Sequence, residues 1–171
     1  MTHERRADFN TARESELLKR MAANDRLALC LLYEAYLPRL IGLFRHVTAA
    51  NDPGLVGQLV EETMMGVWLK RESLAESDAP HVSIMRQAVA HARRRLEKQR
   101  RISTPRERTP MLGMLAALSV DERAVMHFAY TGHSREEVAA LVGGSCEGVD
   151  ALLSSARSCI RRGFARRRKI I

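Results

Sequence analysis

Residues 134–162, SREEVAALVGGSCEGVDALLSSARSCIRR, hold the pattern from which the fold is read. Ser134 with Glu137 three residues later is a capping box: the hydroxyl takes an orphan amide and the carboxylate reaches back to the cap. Val138, Leu141 and Val142 follow at helical spacing up to Gly143-Gly144, where glycine adopts the left-handed conformation that ends a helix without strain. Ser145 caps a second helix whose Val149, Leu153, Ala156 and Ile160 form one apolar stripe. Helices over 134–142 and 146–162 joined by a three-residue turn have the dimensions of a helix-turn-helix. An ordinary hairpin in a bundle has them too, so spacing alone leaves both readings open.

Outward from this pair the same periodicity continues. Ser119 and Glu122 repeat the capping box, after a short helix expected over Met111–Leu118. Residues 101–110, RISTPRERTP, carry two prolines and few apolar side chains and read as an interdomain linker. Upstream, apolar spacing predicts helices over Glu14–Ala23, Arg26–Val47, Leu55–Arg71 and His81–Arg100, with Pro38 expected to kink the second. Residues 51–54 read as a turn, Glu72–Pro80 as a loop and 1–12 as disordered. Alternating strand patterns and Asn-Gly hairpin signals are absent from the sequence. The expected class is therefore all-α: two small helical domains, 13–100 and 111–171, joined by the linker, the second a helix-turn-helix.

Composition narrows the function. The 171 residues carry 28 Lys+Arg against 20 Asp+Glu, a formal charge of +8. Residues 1–85 hold 10 basic and 12 acidic side chains, residues 86–171 hold 18 and 8. A basic half suits a polyanion, and a mildly acidic half suits a protein surface. No run of 18 apolar residues occurs and MTHERRADFN lacks a signal-peptide core, so a cytoplasmic protein without a membrane partner is expected. Cys30, Cys146 and Cys159 have no CxxC spacing and read as reduced thiols, and the six histidines form no ligand pair, so neither metal nor cofactor is expected. No nucleophile–base pair or phosphate-cradling loop suggests an enzyme, so no catalytic residue is assigned.

Four segments resemble one family. Residues 59–68, LVEETMMGVW, are similar to the "DLVQETFLRVW" segment of extracytoplasmic-function sigma factors. Residues 118–125, LSVDERAV, resemble their "LP…R.V", and 134–143, SREEVAALVG, their "S..EIA..LG". Gly148-Val149, with Ala156-Arg157 further on, resembles "GTV……RAR". Order and spacing agree over residues 14–165. The resemblance implies a non-catalytic RNA polymerase subunit that binds core RNA polymerase and promoter DNA, with an anti-sigma factor as a further partner.

On this resemblance the sites follow. Gln58, Leu59, Glu61, Glu62 and Met65 would contact core polymerase, with Gln58 and Glu61 standing where the family usually has Asp and Gln. Arg86, Gln87, His91, Arg94, Arg95, Lys98 and Arg101 would engage the minus-10 element, their dense positive charge suiting phosphates. The family's aromatic pair is missing there: no Phe, Tyr or Trp occurs from Leu69 to His127, although single-stranded bases are normally held by stacking. Arg135, Ser145, Cys146, Glu147, Asp150, Ser154, Arg157 and Arg161 would face the minus-35 element. Asp150, Leu152 and Ser155 stand where the family carries basic residues. Residues 109–156 hold two basic and six acidic side chains, whereas 86–108 and 157–171 each net +7. The charge thus flanks the expected reader. The sequence leaves open a sigma factor proper and a sigma-like decoy that acts through protein binding.

Overall fold

The computed structural model describes residues 3–48, 52–100 and 114–167, with side chains over 12–48, 52–98 and 114–165. Among these the chain is all-helical. The elements are α1 (His3–Ala22), α2 (Arg26–Thr48), α3 (Pro53–Leu69), α4 (Arg71–Ala75), α5 (Pro80–Arg100), α6 (Val120–Tyr130), α7 (Arg135–Val142) and α8 (Cys146–Arg167), with a helical turn over 114–116 before α6. The expected linker 101–110, and most of the helix expected at Met111–Leu118, lie outside the described residues.

Local chemistry explains most boundaries. Asp52 caps α3 by accepting from the Leu55 amide at 3.1 Å, and Pro53 occupies the first helical position, where its missing N–H costs nothing. Both expected capping boxes form: Glu122 N–H donates to Ser119 Oγ at 3.0 Å and Ser119 N–H to Glu122 Oε2 at 2.6 Å. The Ser134–Glu137 pair repeats this at 3.2 and 2.7 Å. Gly143 ends α7 at φ 74°, the left-handed cap.

The structure departs from the sequence reading at two ends. α1 begins at His3, where residues 1–12 read as disordered; 3–13 contain neither Gly nor Pro, so nothing stops the helix from extending backward from its packed turns. The expected loop at 72–80 contains α4, whose Leu74 is buried. One leucine suffices to dock a single turn but leaves no periodicity to read.

α2 is the central helix. It runs through Pro38 and buries Leu32, Tyr36, Leu40, Leu43, Phe44 and Val47. By length and composition it would also cross a membrane, although Glu34 and Arg39 interrupt its apolar run. In this fold those core side chains pack against other helices instead. Leu59, Val60 and Val67 of α3 and Ile84, Ala88 and Val89 of α5 join the same core, as do Val125 and Phe128 of α6, Leu141 of α7 and Val149 of α8. A small separate cluster holds Leu118, Met126 and Ala156. The two parts expected as separate domains therefore share one continuous core. Each fully buried Val, Leu, Ile or Phe among them stabilises the fold by about 1.5–3 kcal/mol.

Candidate nucleic-acid and protein interface

α3 presents two faces. Leu59, Val60, Met64 and Val67 turn into the core, and Gln58, Glu61, Glu62 and Met65 turn outward. Leu59, expected at the polymerase contact, is fully buried and is corrected to a core residue: it lies on the inward face, one position from Gln58. Met65 and Leu69 are exposed at 60% and 72%. Leu69 had no place among the expected site residues. Both border an open groove of about 610 Å³ between α3 and α5, with Glu61 and Glu62 on one rim and Arg94, Arg95 and Lys98 on the other. Gly66 leaves room for the Gln87 side chain of α5: a Cβ there would sit 1.7 Å from its amide nitrogen.

The residues expected at the minus-10 element divide among three surroundings. Arg94 and Lys98 are exposed. Arg95 donates to Gln58 Oε1 at 2.8 Å, tying the two expected sites together, and Gln87 donates to the Thr63 carbonyl at 3.4 Å. His91 lines the groove with a buried Nδ1, and burial lowers its pKa, with Arg94 acting in the same direction. Arg86 points to the other side of α5, toward α7. Arg101 lies outside the described residues.

On the C-terminal side, a cleft of about 470 Å³ is lined by Arg135, Asp150, Ser154, Arg157 and Arg161, five of the eight residues expected to face minus-35 DNA. Ser145 accepts from Gly148 N–H at 3.2 Å and caps α8, Cys146 is partly buried, and Glu147 is exposed. Glu147's own backbone amide and Ser145 hold its carboxyl below the usual range, so a negative charge stands at this helix start. Arg135 pairs with Asp150 at 3.2 Å. Such an exposed pair adds about 0–1 kcal/mol to stability, yet it neutralises a cation that acts on the start of α8. The tail beyond residue 165 lies outside the described side chains.

Sequence reasoning missed a third region, where α1, α2 and α5 meet α6 and the turn that follows it. A cavity of about 580 Å³ there is lined by Glu14, Arg39, His81, Met85, His127 and His133, among others. Tyr36 Oη donates to the buried Glu14 carboxylate and lies 3.1 Å from His81 Nδ1. Because the Tyr36 proton goes to Glu14, its oxygen accepts from His81 Nδ1–H. Burial raises the Glu14 pKa and pushes that of His81 down to about 4. These partners are 22 and 45 residues apart, beyond any local pattern. Among the described residues no cluster of three or more His, Cys, Asp or Glu is placed to hold a metal ion.

No protein-family model matches the chain, and no curated protein is similar to it in sequence. Among solved structures its fold is similar to that of CnrH in complex with the cytosolic domain of CnrY, with a TM-score of 0.64 and 20% identity over 88% of this chain and 96% of that one. CnrH is an extracytoplasmic-function sigma factor and CnrY its anti-sigma factor. At this identity the likeness shows the fold alone, an all-helical arrangement.

Proposed function

We propose that the protein is an alternative sigma factor of the extracytoplasmic-function type, which binds core RNA polymerase and directs it to promoters. One observation carries the reading: the chain shares the fold of a sigma factor along nearly its whole length while α3 leaves Gln58, Glu61, Glu62, Met65 and Leu69 without cover. Carboxylates around exposed apolar side chains suit a basic helical partner such as the polymerase clamp. α5 would then engage minus-10 DNA through Arg94 and Lys98, and the helix-turn-helix α7–α8 would meet minus-35 DNA through Arg157 and Arg161. By analogy with CnrH and CnrY, an anti-sigma factor would cover these surfaces. Such work places the protein in the cytoplasm, with neither cofactor nor catalytic residue. In vitro transcription with core polymerase on the organism's genomic fragments tests the proposal. Initiation from a defined promoter set is expected; no initiation together with no clamp binding defeats it.

The Arg135–Asp150 pair and the ionised Glu147 favour a second reading, a sigma-like decoy. It would bind an anti-sigma factor or polymerase without reading DNA. Phosphate is repelled by a carboxylate at a helix start that would otherwise attract it. A decoy captures an anti-sigma partner in pull-down yet leaves no footprint on DNA.

A further inference from the structure

The C-terminal part grips α5 at two points on one face. Arg86 donates to the Ala140 carbonyl through Nε at 3.1 Å and Nη2 at 2.8 Å. That carbonyl lies in the last turn of α7, where helical carbonyls lack an intrahelical partner and the dipole is negative. Arg86 thus supplies the donor that an end carbonyl of α7 lacks, and it lies along Gly143, 3.6 Å from where a Cβ would stand. Two turns further on, Arg93 donates through Nε and Nη2, at 3.1 and 2.6 Å, to Asp121 in the first turn of α6. Both arginines belong to the basic helix that the proposed function turns toward DNA.

The seam beside these grips is rich in imidazoles. His46 of α2 and His127 of α6 have ring centroids 5.6 Å apart, and His133 Nδ1 lies 3.1 Å from the Phe128 carbonyl. His46 Nε2 is buried with no hydrogen-bond partner among the described residues. A buried polar group in that state disfavours the closed arrangement relative to one that lets water in.

We propose that the seam is an intramolecular clasp: α6 and α7 close on α5, engage the guanidinium donors of Arg86 and Arg93 while leaving both side chains in contact with solvent, and release those donors on acidification. The regulatory part rests on the proposed function; the clasp itself does not. Burial in the closed seam holds His81 and His127 at about 4 and lowers His46 as well. Around His81 stand Glu14, Tyr36, Arg39, His133 and Glu137; around His127 stand His46 and His133; and Arg123 acts on His46. The fixed charges are mixed, and a proton on any imidazole meets Arg39, Arg123 or another imidazole.

The sign follows from linkage. An imidazole with a lower pKa in the closed form than in the open form takes its proton on opening. Closure is therefore fully favoured above about pH 6.5 and weakens as pH falls from there toward 4. Two such groups lower the closed-to-open ratio roughly a hundredfold between about pH 8 and about pH 5.5. Glu14, raised by burial, acts in the opposite direction, one carboxyl against three imidazoles.

Small-angle scattering of the full chain, with circular dichroism alongside, tests the clasp. The radius of gyration is expected to rise between about pH 8 and about pH 5.5 while helical ellipticity holds. The double variant His81→Gln, His127→Gln should stay compact at the lower pH. Asp121→Asn, which touches no histidine, should open at a higher pH than the parent and bind a random-sequence duplex several-fold more tightly at about pH 8. A radius unchanged by pH, a rise accompanied by loss of ellipticity, or equal opening in the parent and the histidine variant overturns the proposal. Opening with no gain in duplex binding supports the clasp and counts against the DNA-facing reading of α5.

Discussion

Arg94 and Lys98 on α5 stand exposed above a groove, whereas Arg135 at the start of α7 is paired with Asp150 on α8. Both regions carry the cations that a polyanion needs. In the first, the nearby carboxylates of Glu61 and Glu62 sit on the opposite rim beside exposed Met65 and Leu69, a surface with both charge and apolar area to offer. In the second, Asp150 and the ionised Glu147 oppose any incoming phosphate. Counting arginines treats the two regions as equivalent; their partners separate them. The comparison teaches that polyanion binding has better support on α5 than sequence reading has on α8.

The comparison can be broken first at the core beneath both regions. Phe128→Ala in α6 should cost about 3–5 kcal/mol. Because Phe128 belongs to the core shared by α2, α5 and α6, urea unfolding should remain one cooperative transition with a lower midpoint. Two transitions, with only one of them moved, would show that the halves fold separately.

Next in size, Glu61→Lys with Glu62→Lys should weaken core polymerase binding at least about tenfold, since like charges then meet a basic partner. Both side chains are exposed, so thermal stability should move by no more than about 0.5 kcal/mol. A binding loss that tracks a drop in melting temperature would remove α3 from the interface.

Asp150→Lys with Ser155→Arg sharpens the contrast from the other side. It frees Arg135 and adds two cations to α8, so duplex affinity should rise and the salt dependence of binding should steepen by about 2–3 in log–log slope. An unchanged slope would mean that α8 does not meet DNA.

Smallest, Ser134→Ala removes one half of the capping box at α7 and should cost about 1 kcal/mol. Duplex binding through α5 should be untouched, which a parallel measurement on Arg94→Ala would contrast.

Much of this architecture was legible because its causes are local. Apolar spacing placed α2, α3 and α5, two Ser-x-x-Glu pairs placed the starts of α6 and α7, and Gly143 the end of α7, within a residue. The sorting of α3 into buried Val60 and Met64 and exposed Glu61 and Glu62 is the same kind of information, a period of 3.6. Leu59 was misplaced because a match to a motif says nothing of which side a residue faces. α4 was missed because a single turn has no period.

The chain by itself determined the helices, their caps and the charge that flanks α7–α8, since each depends on residues within about four positions of one another. Only the tertiary structure decided what the charges do. Arg86 bonds an end carbonyl of α7 from 54 residues away and Arg93 holds Asp121 from 28, while His81 reaches Glu14 through Tyr36 across two more helices. A side chain's partner across a seam depends on how whole helices pack, and that packing was decided by a core running continuously through both halves, which no local pattern records.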